Sequence, residues 1–141
     1  HFLLLIKCNN LKIKNMAAFR LEPADDTPLV IFDKENMLFE ISGKSMPEDV
    51  IRFYGPVLDW LNTYKADPLV KTTFDFKLIY FNTASSKLIL DILMILEEMQ
   101  EGGHEILIRW HSMTNDEDMQ EAGDEYSEMV DLKFEFLTYE E

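Results

Sequence analysis

Four stretches of this chain alternate their side chains with a period of two, and a segment of helical period separates each from the next. In NMLFEI, Met37, Phe39 and Ile41 fall on one side and Leu38 and Glu40 on the other. FDFKLIYF sets Phe74, Phe76, Leu78 and Tyr80 against Asp75, Lys77, Ile79 and Phe81. EILIRW sets Ile106, Ile108 and Trp110 against Glu105, Leu107 and Arg109, and LKFEFLTY sets Leu132, Phe134 and Phe136 against Lys133, Glu135, Leu137 and Tyr139. A period of two is that of a strand. PLVIF, residues 28–32, reads as a weaker fifth strand.

The first helical segment runs from about Pro47 to Tyr64, its PED opening suited to a first helical turn, with Val50, Phe53, Tyr54, Val57, Leu58, Leu61 and Tyr64 at spacings of three and four. Pro56 inside it predicts a kink or a break. The second carries Leu88, Leu90, Ile92, Leu93, Ile95, Leu96 and Met99 and stops at Gly102-Gly103. The third begins near Asn115 or Asp116, with Met119, Ala122, Tyr126 and Met129 or Val130 on one face.

The predicted order is β-β-α-β-α-β-α-β. Alternating βα units imply parallel pairing with right-handed crossovers, and the short link between the first two strands implies one antiparallel pair. Strands covered on both faces would read as continuous apolar runs; these alternate, so one face of the sheet should lack helices. The expected fold is α/β, a mixed sheet of about five strands with three helices packed mainly on one face.

At 141 residues the chain fits one domain. Residues 1–15, HFLLLIKCNNLKIKN, hold three lysines and no acid, unlike the rest, so they are expected to be a dispensable extension, with the domain spanning 16–141. The apolar run Phe2–Ile6 is shorter than a signal-peptide core or a membrane span, and no direct membrane insertion is expected. With a net charge of −14 the protein repels nucleic acid and anionic membranes. Its single cysteine, Cys8, forms no internal disulfide, which suits the cytoplasm.

His104 and His111 flank one strand at an odd offset, on opposite faces and more than ~20 Å apart, so they do not share a metal ion. The acidic stretch NDEDMQEAGDEYSE lacks the glycine that an EF-hand loop requires at its sixth position; its acids read as a helix N-terminus and a solvated face. No phosphate-binding glycine loop, nucleophile elbow or cofactor motif appears in the sequence. Asp75 falls mid-strand, facing water.

One loop stands out. Between FDFKLIYF and the second helix the chain reads Asn82-Thr83-Ala84-Ser85-Ser86-Lys87. One small polar residue suffices to cap a helix, and a loop at the carboxyl end of a strand opening onto a helix N-terminus is also where α/β sheets place ligands and phosphates. Helix cap and phosphorylatable switch both remain open on the residues alone. A second loop, Ser42, Gly43, Ser45 and Pro47, is expected beside it if the strands run parallel.

Three stretches, residues 41–61, 72–98 and 110–136, together resemble the SiaC family of bacterial regulatory phosphoproteins, related in fold to the STAS domains that include anti-sigma factor antagonists. The resemblance covers most of residues 29–139. It implies reversible phosphorylation of Thr83 by a histidine-kinase-like Ser/Thr kinase and a PP2C-type phosphatase. It also implies that the unphosphorylated form activates a membrane-anchored diguanylate cyclase, within cyclic-di-GMP signalling and biofilm control. Asn82, Ser85, Ser86, Lys87, Ser42, Gly43 and Ser45 would then support the loop or touch the partner. The family has a serine where this chain has Ala84, which removes a neighbouring hydroxyl and spares the acceptor. The competing expectation is a small-molecule or anion-binding, or enzymatic, α/β domain that uses loop 82–86.

Overall fold

The computed structural model describes residues 16–140; the expected extension, residues 1–15 with Cys8, lies outside the described residues. The elements are β1 (Phe19–Leu21), β2 (Leu29–Asp33), β3 (Leu38–Ser45), α1 (Val50–Lys65), β4 (Lys71–Phe81), α2 (Thr83–Glu101), β5 (Glu105–Met113), α3 (Glu117–Met129) and β6 (Lys133–Tyr139). They form one six-stranded sheet in sequential order, antiparallel across β1-β2-β3 and parallel across β3-β4-β5-β6. The alternation foretells every strand except β1, which at three residues is too short to show a period.

Successive parallel strands that step always to the same side, through right-handed crossovers, put every crossover helix on one face. Burial agrees: Phe39, Ile41, Phe74, Phe76, Ile106, Ile108 and Trp110 are sealed with Leu61, Tyr64, Ile89, Ile92 and Leu96 in one core. Phe32, Phe39, Phe74, Trp60 and Tyr64 pack ring against ring, mostly tilted, with centroids 5.0–6.5 Å apart. The helix-free face carries ion pairs instead. Lys77 meets Glu40 at 3.1 Å, and Arg109 reaches Asp75 at 3.6 Å and Glu135 at 3.5 Å. Asp75 therefore does not stand free in water: its side chain is 16% exposed, bonded also to His111 Nε2 at 2.7 Å. His104 Nδ1 lies 3.1 Å from the carbonyl of Leu69, so the two histidines have separate structural partners.

Four expectations need correction. Each helix begins one residue after an acid or amide cap: Asp49, not Pro47, opens α1, bonding the Arg52 N–H at 3.1 Å. Pro56 does not break α1, which runs unbroken; Arg52 and Pro56 are both exposed, so the carbonyl deprived of its donor is on the water side. Met37, at φ 56°, belongs to the turn before β3 and is exposed. The alternation of β4 also fails at its end. Gly43 pairs with Leu78 but Lys44 pairs with Tyr80, so Ile79 is an extra residue, a bulge. Beyond it the faces swap: Tyr80 is 50% exposed and Phe81 turns inward, against Trp110 and Tyr126.

Candidate functional site

The bulge delivers β4 directly into α2, with only Asn82 between them. Asn82 is extended (φ −85°, ψ 173°), and its side chain accepts from the Ser85 N–H at 2.9 Å. Its own N–H donates to the carbonyl of Ser45 at 3.0 Å, tying the loop to the end of the neighbouring strand.

Beneath it lies a buried chain of hydroxyls. Ser85, fully buried, donates from Oγ to the Ser45 carbonyl at 3.0 Å; Ser45 Oγ donates to Ser85 Oγ at 2.8 Å. With that proton committed, the 2.5 Å contact between Ser45 Oγ and the Tyr54 hydroxyl is made by the tyrosine's proton. Each hydroxyl thus uses its one proton, the condition for burying such groups at little cost. Burial holds the Tyr54 phenol above its ordinary pKa.

The remaining polar residues divide the work. Ser86 Oγ donates to the Thr83 carbonyl at 2.6 Å, and the Ser86 carbonyl accepts from the Tyr126 hydroxyl at 2.7 Å, which pins α3 to the first turn of α2. Burial raises the Tyr126 pKa as well. Thr83 is different. It is the first residue of α2, is exposed, and its hydroxyl enters none of the loop's side-chain hydrogen bonds. Lys87, one turn on, is exposed and absent from the ion pairs among the described residues.

The second expected loop is strand except at Pro47, which falls in the link to α1. Ser42, Gly43 and Ser45 belong to β3, with only Ser45 beneath the site. Ser42 shares the helix-free face with Glu40 and is paired across to Lys77, away from Thr83. Gly43, at φ +104°, takes a backbone conformation that side chains disfavour, directly opposite the bulge. Sequence reasoning missed Tyr54 and Tyr126, whose apolar spacing marks them as core and conceals what their hydroxyls bind.

The profile of the SiaC family of regulatory phosphoproteins matches residues 21–139, from the end of β1 through β6. This chain belongs to the SiaC family. A relative, an uncharacterised protein of Pseudomonas aeruginosa (strain UCBPP-PA14), is 30% identical over 126 residues, 89% of this chain and 100% of that one. The crystal structure of the diguanylate cyclase SiaD in complex with its activator SiaC, from P. aeruginosa, matches with TM-score 0.81 at 30% identity, covering 86% of this chain and 99% of that one. Apo-SiaC from P. aeruginosa matches with TM-score 0.79 at 29% identity, over 86% and 99%. The mixed sheet expected from the alternating strands, and the SiaC-like fold implied by the resemblance, are thus the architecture observed, with one strand more.

Proposed function

We propose that this chain is a non-catalytic partner switch: with Thr83 bare it docks on and activates a diguanylate cyclase, and with Thr83 phosphorylated it releases it. The observation that carries this reading is the division of labour in loop 82–86. Asn82 caps, Ser85 is buried, Ser86 bonds backwards, and Thr83 alone presents an exposed and uncommitted hydroxyl at a helix N-terminus. Membership of a family of regulatory phosphoproteins, and the SiaC–SiaD complex, support a partner of this class. A histidine-kinase-like Ser/Thr kinase would add the phosphate and a PP2C-type phosphatase remove it, in the cytoplasm. No helix among the described residues is long and apolar enough to cross a membrane.

The phosphate acts locally. It adds about −1.5 to −2 to a molecule already at −14. The dipole of α2 and the ammonium of Lys87 each favour it by ~0.3–1 kcal/mol, too little to refold the domain. Spoiling one desolvated contact at an interface costs ~2–5 kcal/mol, enough to separate bound from free.

The test is intact-mass measurement after incubation with the cell's kinase. One added phosphate, lost in Thr83→Ala, is the expected result. Phosphate retained in Thr83→Ala, or none added while a small anion raises the melting temperature, overturns the reading in favour of an anion-binding domain.

A further inference from the structure

The sheet ends in an open edge. β6 is last in the strand order and pairs only with β5, so one side of its backbone has no neighbouring strand among the described residues. The opposite edge, β1, is three residues long; β6 is seven, matched residue for residue to β5 from Lys133 to Tyr139 without a bulge, and it holds no proline. Brevity, bulges and prolines are usual means by which an outer strand avoids pairing with another chain. β6 has none of the three.

Charge is a further defence, and it works when like charges meet. On the helix-free face of β6, Glu135 meets Arg109 at 3.5 Å, whereas the exposed Lys133 is absent from the ion pairs among the described residues. These two charges are opposite in sign and two residues apart on one face. An antiparallel copy with Phe134 opposite Phe134 therefore sets each Lys133 against a Glu135 instead of repelling it. The other face is apolar and partly bare: Phe134 and Phe136 lie across the ladder from Ile108 and Trp110, with ring centroids 5.8 Å apart, and Phe136 is 46% exposed.

We propose that this edge is an interface between two copies of the chain, β6 pairing antiparallel with β6 about a two-fold axis through Phe134. A two-fold interface must be complementary to itself, and this register is so. Arg109, Glu135 and the second copy's Lys133 then follow one another across the seam, each carboxylate between two cations, while Phe136 faces the second copy's Leu132. The backbone agrees with that centre. Asp131 is tied inward, its N–H donating to Glu97 at 2.5 Å and its carbonyl accepting from Gln100 at 2.6 Å. The free ladder thus begins at Leu132, and a two-fold axis at Phe134 returns it at Phe136. Moving the axis to Glu135 brings two carboxylates together; moving it to Phe136 sets Lys133 against Tyr139 and Glu135 against Leu137, pairing neither charge. The seam lies two strands away from β4, which leads into Thr83, so the proposal does not depend on the phosphorylation reading. A ladder this short between chains of charge −14 makes a transient pair.

Sedimentation equilibrium of the full chain, at concentrations up to about 1 mM as a transient pair requires, tests this. A concentration-dependent dimer is expected. Lys133→Glu and Glu135→Lys each set like charges opposite one another twice across the axis, and each should raise the dimer dissociation constant about 10-fold or more. Both positions are exposed, and circular dichroism melts verify the fold of each variant. Mixed in equal parts, the two variants complement one another, acids of one against lysines of the other, and the mixture should return to within about 3-fold of wild type. A wild-type chain that stays monomeric throughout, single variants that associate as the wild type does, or a mixture as dissociated as its components would each overturn the proposal.

Discussion

Thr83 and Ser85 are two residues apart and opposite in circumstance. The hydroxyl of the first is exposed and enters none of the loop's side-chain hydrogen bonds; the second is buried, its hydroxyl bonded to Ser45 of β3. Thr83→Ala should therefore leave urea stability within about 0.5 kcal/mol of wild type, as surface changes do, while preserving partner binding. Thr83→Asp should weaken that binding with equally little effect on stability. Ser85→Ala strands the Ser45 proton in a buried site and should cost ~1–3 kcal/mol in the same urea titration. A crowd of small polar side chains after an apolar strand identifies the loop from sequence. Which of them is structural is not legible there, because the decision lies with Ser45, 40 residues upstream of Ser85, and with a tyrosine whose spacing says only that it is core.

At the scale of elements, the seat of α3 depends on how closely it approaches β5. Gly123 makes that approach possible: a Cβ there would lie 2.5 Å from Trp110 Cδ1, and the indole has no room to yield because its N–H donates to the Met119 carbonyl at 2.9 Å. Gly123→Ala should destabilise the fold by ~1–3 kcal/mol through overpacking, read as a lower urea midpoint. The periods of two and 3.6 reveal the strands of four or more residues and the three helices, because both periods follow from burying one face. They do not reveal β1, too brief to have a period, or the bulge at Ile79, which costs one residue of register and reverses the facing of Tyr80 and Phe81. That reversal exposes Tyr80 and turns Phe81 toward Trp110 and Tyr126, so the least legible residue of β4 shapes the surface next to the most legible loop.

For the whole molecule, three buried phenols set its behaviour in base. Burial raises the pKa of Tyr54, Tyr64 and Tyr126 in the folded state above the ~10 of an unfolded chain. Above pH ~10 the unfolded chain loses these protons while the native one keeps them, so stability complete below that pH declines as it rises. The slope approaches ~1.4 kcal/mol per pH unit for each tyrosine, until the native groups titrate. Urea midpoints flat from neutrality to pH ~9 and falling beyond are expected, with a shallower fall in Tyr54→Phe. The overall charge of −14 is legible from the sequence and favours a partner with basic docking residues, but it does not locate the switch. The switch is located by one free hydroxyl, and its consequence is a difference of two affinities. Calorimetric titration of the cyclase partner with the bare chain and with the same chain uniformly phosphorylated at Thr83 measures that difference. A dissociation constant raised about 30-fold or more by the phosphate, the equivalent of ~2 kcal/mol, is the result predicted; equal constants for the two forms would contradict the account.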